Sequence, residues 1–121
     1  MLTRIAAAAL IAAIGLTRLR RVVVQGASMV PVLLPGDRVA TLPLGPQPGR
    51  LAVLTDPRSS DRVLVKRVVA VEADGRVRVR GDNSAASTDS RHFGPVPRAL
   101  VLGRPVYRYH PPERAGWLWS A

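Results

Sequence analysis

A chain of 121 residues with eleven prolines and ten glycines describes one small, loop-rich β domain and argues against a helical bundle. The absence of cysteine excludes a disulfide framework, a thiol nucleophile and a cysteine zinc site. A formal charge of +10 favours anionic neighbours such as lipid head groups, nucleic acid or acidic protein, yet the arginines are scattered along the whole length, as a general surface charge would be.

Ile5 to Leu16 is an uninterrupted apolar run with Arg4 before it and Arg18, Arg20 and Arg21 after it. Counted from Met1 to Thr17 as a helix, it reaches roughly 26 Å, marginal for a bilayer core. It reads as an uncleaved membrane anchor, with a signal-peptide-like start and an interfacial helix as the alternatives. No small-x-small cleavage site follows it, and the excess of positive charge after the run would keep the rest of the chain on the cytoplasmic side. The expected division is an N-terminal apolar segment over 1–19 and a mainly β domain over 20–121.

Val22-Val23-Val24 reads as a short strand that ends in Gln25-Gly26-Ala27-Ser28-Met29-Val30-Pro31. Two small residues before Ser28 and a proline after it leave the hydroxyl clear of helix or ladder, flanked by open backbone N–H groups. Most Gly-x-Ser serines are simply turn residues, so this pattern by itself leaves both readings open. Leu34 to Asp37 is a turn, Arg38 to Leu42 a strand, Pro43 to Gly49 a loop and Leu51 to Leu54 a short buried strand. Thr55 to Arg62, polar and containing Asp56-Pro57, reads as a mobile excursion.

Val63 to Val71 is the longest predicted strand, and it holds Lys66, the one lysine among eighteen basic residues. A position that needed only positive charge could have taken arginine. Lysine alone offers an amine that burial can deprotonate, which makes Lys66 a candidate general base, with a snorkelling surface lysine as the competing account. Asp74-Gly75 then turns the chain into Arg76-Val77-Arg78-Val79-Arg80, a hairpin partner with one buried face. Its arginine row is a solvated strand face in preference to a phosphate grip. Gly81 to Arg91 is a polar loop by composition. Leu100 to Gly103 and Val106 to Tyr109 read as a final strand pair broken at Pro105. In the tail, Trp117 and Trp119 fit either a membrane interface or a frayed terminus. His92 and His110 lie in turn or terminal sequence, where a solvated imidazole is the default.

Ser28-Met29-x-Pro31, then Val65-Lys66-Arg67-Val68-Val69-Ala70-Val71, then Gly81-Asp82-Asn83 followed by Ser87-x-Asp89-Ser90-Arg91 and Gly94-Pro95-Val96-Pro97 together resemble the successive boxes of the type I signal peptidase family. They stand in the family's order from Val22 to about Tyr109. The run from Gly81 to Pro97 is most similar to a subgroup, the nickel-type superoxide dismutase maturation proteases. The resemblance implies a small signal-peptidase-like β domain with Ser28 as nucleophile, Lys66 as general base and Ser87 orienting that lysine. The oxyanion would be held by the backbone of Ser28 with help from Gly26, which stands where some members carry a serine hydroxyl. Val32 departs from the threonine common after the proline. Asp82, Asp89 and Arg91 match supporting positions, with an Asp89–Arg91 pair expected to hold the loop of Ser87. Met29 and Pro31 are expected to be packing residues, with Met29 near a small substrate pocket.

On this resemblance the chain removes N-terminal leaders from precursor proteins at a membrane, with no metal, organic cofactor or nucleic acid involved. The precursor is either a nickel superoxide dismutase or a secretory preprotein on the outer face. Two other classes compete. A non-catalytic basic module would bind membrane or nucleic acid through Arg76, Arg78 and Arg80. A self-cleaving regulator of the LexA type shares the chemistry, but too little chain precedes Ser28 for its DNA-binding domain and cleavage site.

Overall fold

The computed structural model of the chain describes residues 18–121. The proposed anchor over 1–19 therefore falls almost wholly outside the described residues. Among those described, no helix is long and apolar enough to cross a membrane.

Seven strands carry the fold: β1 (Arg20–Val23), β2 (Arg38–Leu42), β3 (Leu51–Asp56), β4 (Ser59–Val71), β5 (Val77–Arg80), β6 (Val101–His110) and β7 (Gly116–Trp117). They form an antiparallel sheet in the order β1-β2-β6-β3-β4-β5, with β7 added beside β6. The mainly β expectation is met.

The central strand β3 has a core on each face. Leu51 and Val53 join a cluster with Val22, Val24, Met29, Leu33, Val39 and Val65. Ala52 and Leu54 join another with Val68, Val77, Val79, Val96 and Val101. Burial on both faces is why β3 reads as a continuous apolar run, while β5, buried on one face, alternates valine with arginine. The exposed arginines of that hairpin are solvated and paired, Arg76 with Asp74 at 2.7 Å and Arg78 with Glu72 at 2.6 Å.

Three local expectations are corrected. Thr55 to Arg62 is no excursion: Asp56 pairs with Ser59, so β3 and β4 form a tight hairpin turning at Pro57-Arg58. The Asp56 carboxylate closes that turn by accepting from the Arg58 backbone and guanidinium at 2.9–3.0 Å. The final strand pair is instead a single strand, β6, running through Pro105. A register shift opposite Ala40 and Thr41 accompanies Pro105, where proline's missing N–H is tolerated. The tail is not frayed. Trp117 meets the Tyr107 ring edge-on at 4.9 Å and stacks with Trp119 at 5.9 Å. Arg50 and Arg67 hold the carbonyls of Trp119 and Ala121.

Candidate active site

Ser28 sits on a loop that leaves β1 and returns to β2. Val24 closes its neck, donating to the Asp37 carbonyl and accepting from Gly36 N–H, both at 2.8 Å. Asp37, buried, then caps Leu34 N–H at 2.8 Å and pairs with Arg108 and Arg114. Gly26 has φ +72°, a left-handed conformation that glycine adopts without steric cost. The backbone N–H of Ser28 meets no protein acceptor among the described residues.

Lys66 enters from β4. Its cross-strand partner on β3 is Ala52, whose small side chain leaves room beside the strand, and the residue is only 3% exposed. Burial pushes the Lys66 ammonium below its ordinary range; the Asp89 carboxylate works against that shift and the Arg58 guanidinium with it. Lys66 Nζ donates to Ser87 Oγ at 3.0 Å, and Ser87 Oγ donates to Asp89 Oδ2 at 2.8 Å. Because Asp89 takes the hydroxyl proton, Ser87 can meet Lys66 only as an acceptor, which fixes one N–H of the amine.

Asp89 is fully buried and caps the short helix Ser90–Phe93. It also accepts from Gly81 N–H at 2.9 Å and from Arg91 Nε at 2.9 Å, the expected Asp89–Arg91 pair. Burial raises its pKa, but the hydrogen bonds from Arg91, Gly81 and Ser87 outweigh that and hold the carboxyl well below its usual range.

Ser28 and Lys66 line one cavity of about 200 Å³ together with Gly26, Arg58, Arg62 and Thr88. A 30 Å³ cavity between Val24 and Val65 and an outer one of about 290 Å³ reaching Arg20 and Arg21 share Gln25 and Arg62 with it. These cavities run between two unpaired strand edges. Among the described residues β1 pairs only with β2, and β4 meets β5 only from Arg67 onward.

The remaining expected residues separate. Met29 is 1% exposed and packs in the core; its sulfur accepts from Asp82 N–H at 3.4 Å, and the cavities at Ser28 are lined without it. It packs beneath the nucleophile's turn. The Asp82 carboxylate pairs with Arg67 in two bonds of 2.8 Å, which ties the start of the Ser87 loop to β4.

Two further residues of the matched boxes join the site. Asn83 clamps the nucleophile's turn, its N–H on the Ser28 carbonyl at 2.8 Å and its amide on the Ala27 carbonyl at 3.0 Å. Gly81 threads between the two halves of the site. A Cβ there would lie 2.3 Å from Ser87 Oγ and 2.6 Å from the Ser28 carbonyl, so only glycine allows this approach. Arg58 and Arg62 were missed entirely, since a polar stretch near a proline carries no signal of what it will face.

A family model described as signal peptidase, peptidase S26, matches residues 1–78 and 73–110. Subunit 1a of the mitochondrial ATP-independent inner membrane protease of Arabidopsis thaliana is 35% identical over 122 residues, covering 78% of this chain and 73% of that protein. Subunit 1 of the mouse (Mus musculus) mitochondrial inner membrane protease is 30% identical, covering 80% and 73%. Subunit 2 from the mouse is 29% identical, covering 75% and 67%.

Proposed function

The chain belongs to the signal peptidase family, peptidase S26, and is a serine-type peptidase; from that premise we propose that it removes N-terminal leaders from precursor proteins with Ser28 as nucleophile and Lys66 as general base. The observation that carries this is a buried lysine, held at 3.0 Å by Ser87, facing the same cavity as a half-buried serine on a turn. Neutral Lys66 takes the Ser28 proton as Oγ attacks the scissile carbonyl, and then protonates the leaving amine. The N–H of Ser28 and the open backbone at Gly26 receive the oxyanion. Lys66 next activates the water that hydrolyses the acyl-enzyme. The leader lies as an added strand in the groove between β1 and β4, its backbone supplying affinity and its side chains meeting the exposed Val23 and Val63.

The apolar run before Arg18 and the names of the relatives support a site of action at a membrane. A nickel superoxide dismutase precursor as the particular substrate rests on the Gly81 to Pro97 resemblance alone. Cleavage of leader-bearing precursors by the full chain, scored by the new N-terminus, tests the function. Absence of any cut across several leaders would favour the non-catalytic basic module.

The pH dependence of kcat/KM follows from the lysine's surroundings. The rate is expected to rise with pH along a limb lying below the ordinary lysine value of 10.5, as Lys66 loses its proton. Arg58→Gln moves that limb to higher pH, because it removes a cation that lowers the Lys66 pKa and unmasks Asp56, which raises it. A limb that stays in place in Arg58→Gln would mean that another group sets it.

A further inference from the structure

The groove beside the site carries an unused cation, and resting on the leader-binding proposal above, we propose that Arg62 selects leaders with an acidic side chain about four residues before the cut. Arg62, Leu64 and Lys66 alternate along β4, and all three line the catalytic cavity. The strand's period of two sets Leu64 and Lys66 on one face, and Arg62, in the bulge where the pairing with β3 jumps from Val63 to Ser59, lines the same cavity, so an extended leader beside β4 meets all three in turn. Lys66 meets the reacting peptide, Leu64 an apolar side chain and Arg62 a carboxylate.

The other cation of the cavity is already engaged. Arg58 holds Asp56 through two side-chain bonds of 2.9 and 3.0 Å and lies 5.5 Å over the Phe93 ring. Arg62 makes no ion pair or hydrogen bond among the described residues, yet it lines all three cavities of the groove. Of the acids near it, Asp61 lines only the outer cavity, and Asp56, which feels the Arg62 charge, is already held by Arg58 in two side-chain bonds. Arg20 and Arg21 at that outer end add to a positive field along the groove. A guanidinium matches a carboxylate with two parallel bonds, a geometry that a point charge does not offer.

The test takes one leader peptide with Glu, Gln or Lys placed in turn at each of the six positions before the cut. Wild type, Arg62→Gln and Arg62→Glu are compared by kcat/KM. Wild type is expected to favour Glu over Gln by about fivefold at one or two of those positions, the scale of a partly exposed ion pair. The preference shrinks with added salt. It disappears in Arg62→Gln and turns to Lys over Glu in Arg62→Glu. A Glu-to-Gln ratio that is flat at every position in wild type, or unchanged in Arg62→Gln, overturns the assignment while leaving the peptidase intact. Peptides cut equally well by Ser28→Ala, or cut by no form, overturn the underlying leader-binding mechanism instead.

Discussion

Lys66→Met is expected to abolish leader cleavage while leaving a protein at least as stable as the wild type. Methionine fills nearly the same volume, so the core around Ala52 and Val68 is kept, but the proton acceptor is gone. Loss of a nucleophile or its base costs about 10⁴-fold or more in kcat. Ser28→Ala is expected to fall equally far, and the double variant no further, since the two groups act as one unit. Stability moves the other way because Lys66, 3% exposed, has only a serine hydroxyl as hydrogen-bond partner. Replacing it by an apolar side chain is expected to gain on the order of 1 kcal/mol, read from the denaturant midpoint. Lys66→Arg supplies the control for charge, since guanidinium stays protonated and cannot serve as a base. Cleavage near the wild-type rate by Lys66→Met would remove Lys66 from the mechanism.

Asp89→Asn is expected to be the most damaging single change outside the Ser28 and Lys66 pair. The carboxylate receives Ser87 Oγ, Gly81 N–H and Arg91 at once, and an amide cannot accept from all three. Breaking a buried pair by removing one partner costs about 3 kcal/mol, taken at the low end because Arg91 is partly exposed. The pH dependence has a definite sign. Asp89 is depressed in the folded protein, so its contribution is fully present above the ordinary carboxylate value of 3.8 and is lost as pH falls below that value toward the folded one. The stability difference between wild type and Asp89→Asn should therefore narrow on acidification below about pH 4. A purely structural role would end there. Because the Asp89 charge also raises the Lys66 pKa, Asp89→Asn is expected to move the rising limb of kcat/KM to lower pH. A variant as stable as wild type at neutral pH would sink this account.

The proposed chemistry was legible before the fold chiefly through the order of the family's boxes. Residue type and local pattern offered one lysine in an apolar strand and one serine on a small-residue turn as an amine and a hydroxyl suited to proton transfer, and left a snorkelling lysine and a turn serine as the competing readings. The strands were legible too, since period-two burial is a property of neighbours in sequence. The boundaries that failed are those where a distant partner outweighs local propensity. Pro105 lies inside β6 because β2 pairs across it, and Thr55 to Arg62 folds into a hairpin because Asp56 binds Arg58 and Ser59 pairs back.

What the amino-acid order determined alone is therefore the candidate reacting groups and the apolar patterns that bury the strands. Only the tertiary structure decided what surrounds them. Asn83 reaches back 55 residues to the turn of Ser28, Gly81 passes where no Cβ fits, and Arg62 faces the groove only because β1 and β4 leave edges unpaired beside it. These are contacts between segments far apart in the chain, and chain separation erases from the sequence the distances that make an aspartate a brace or set an arginine along a groove.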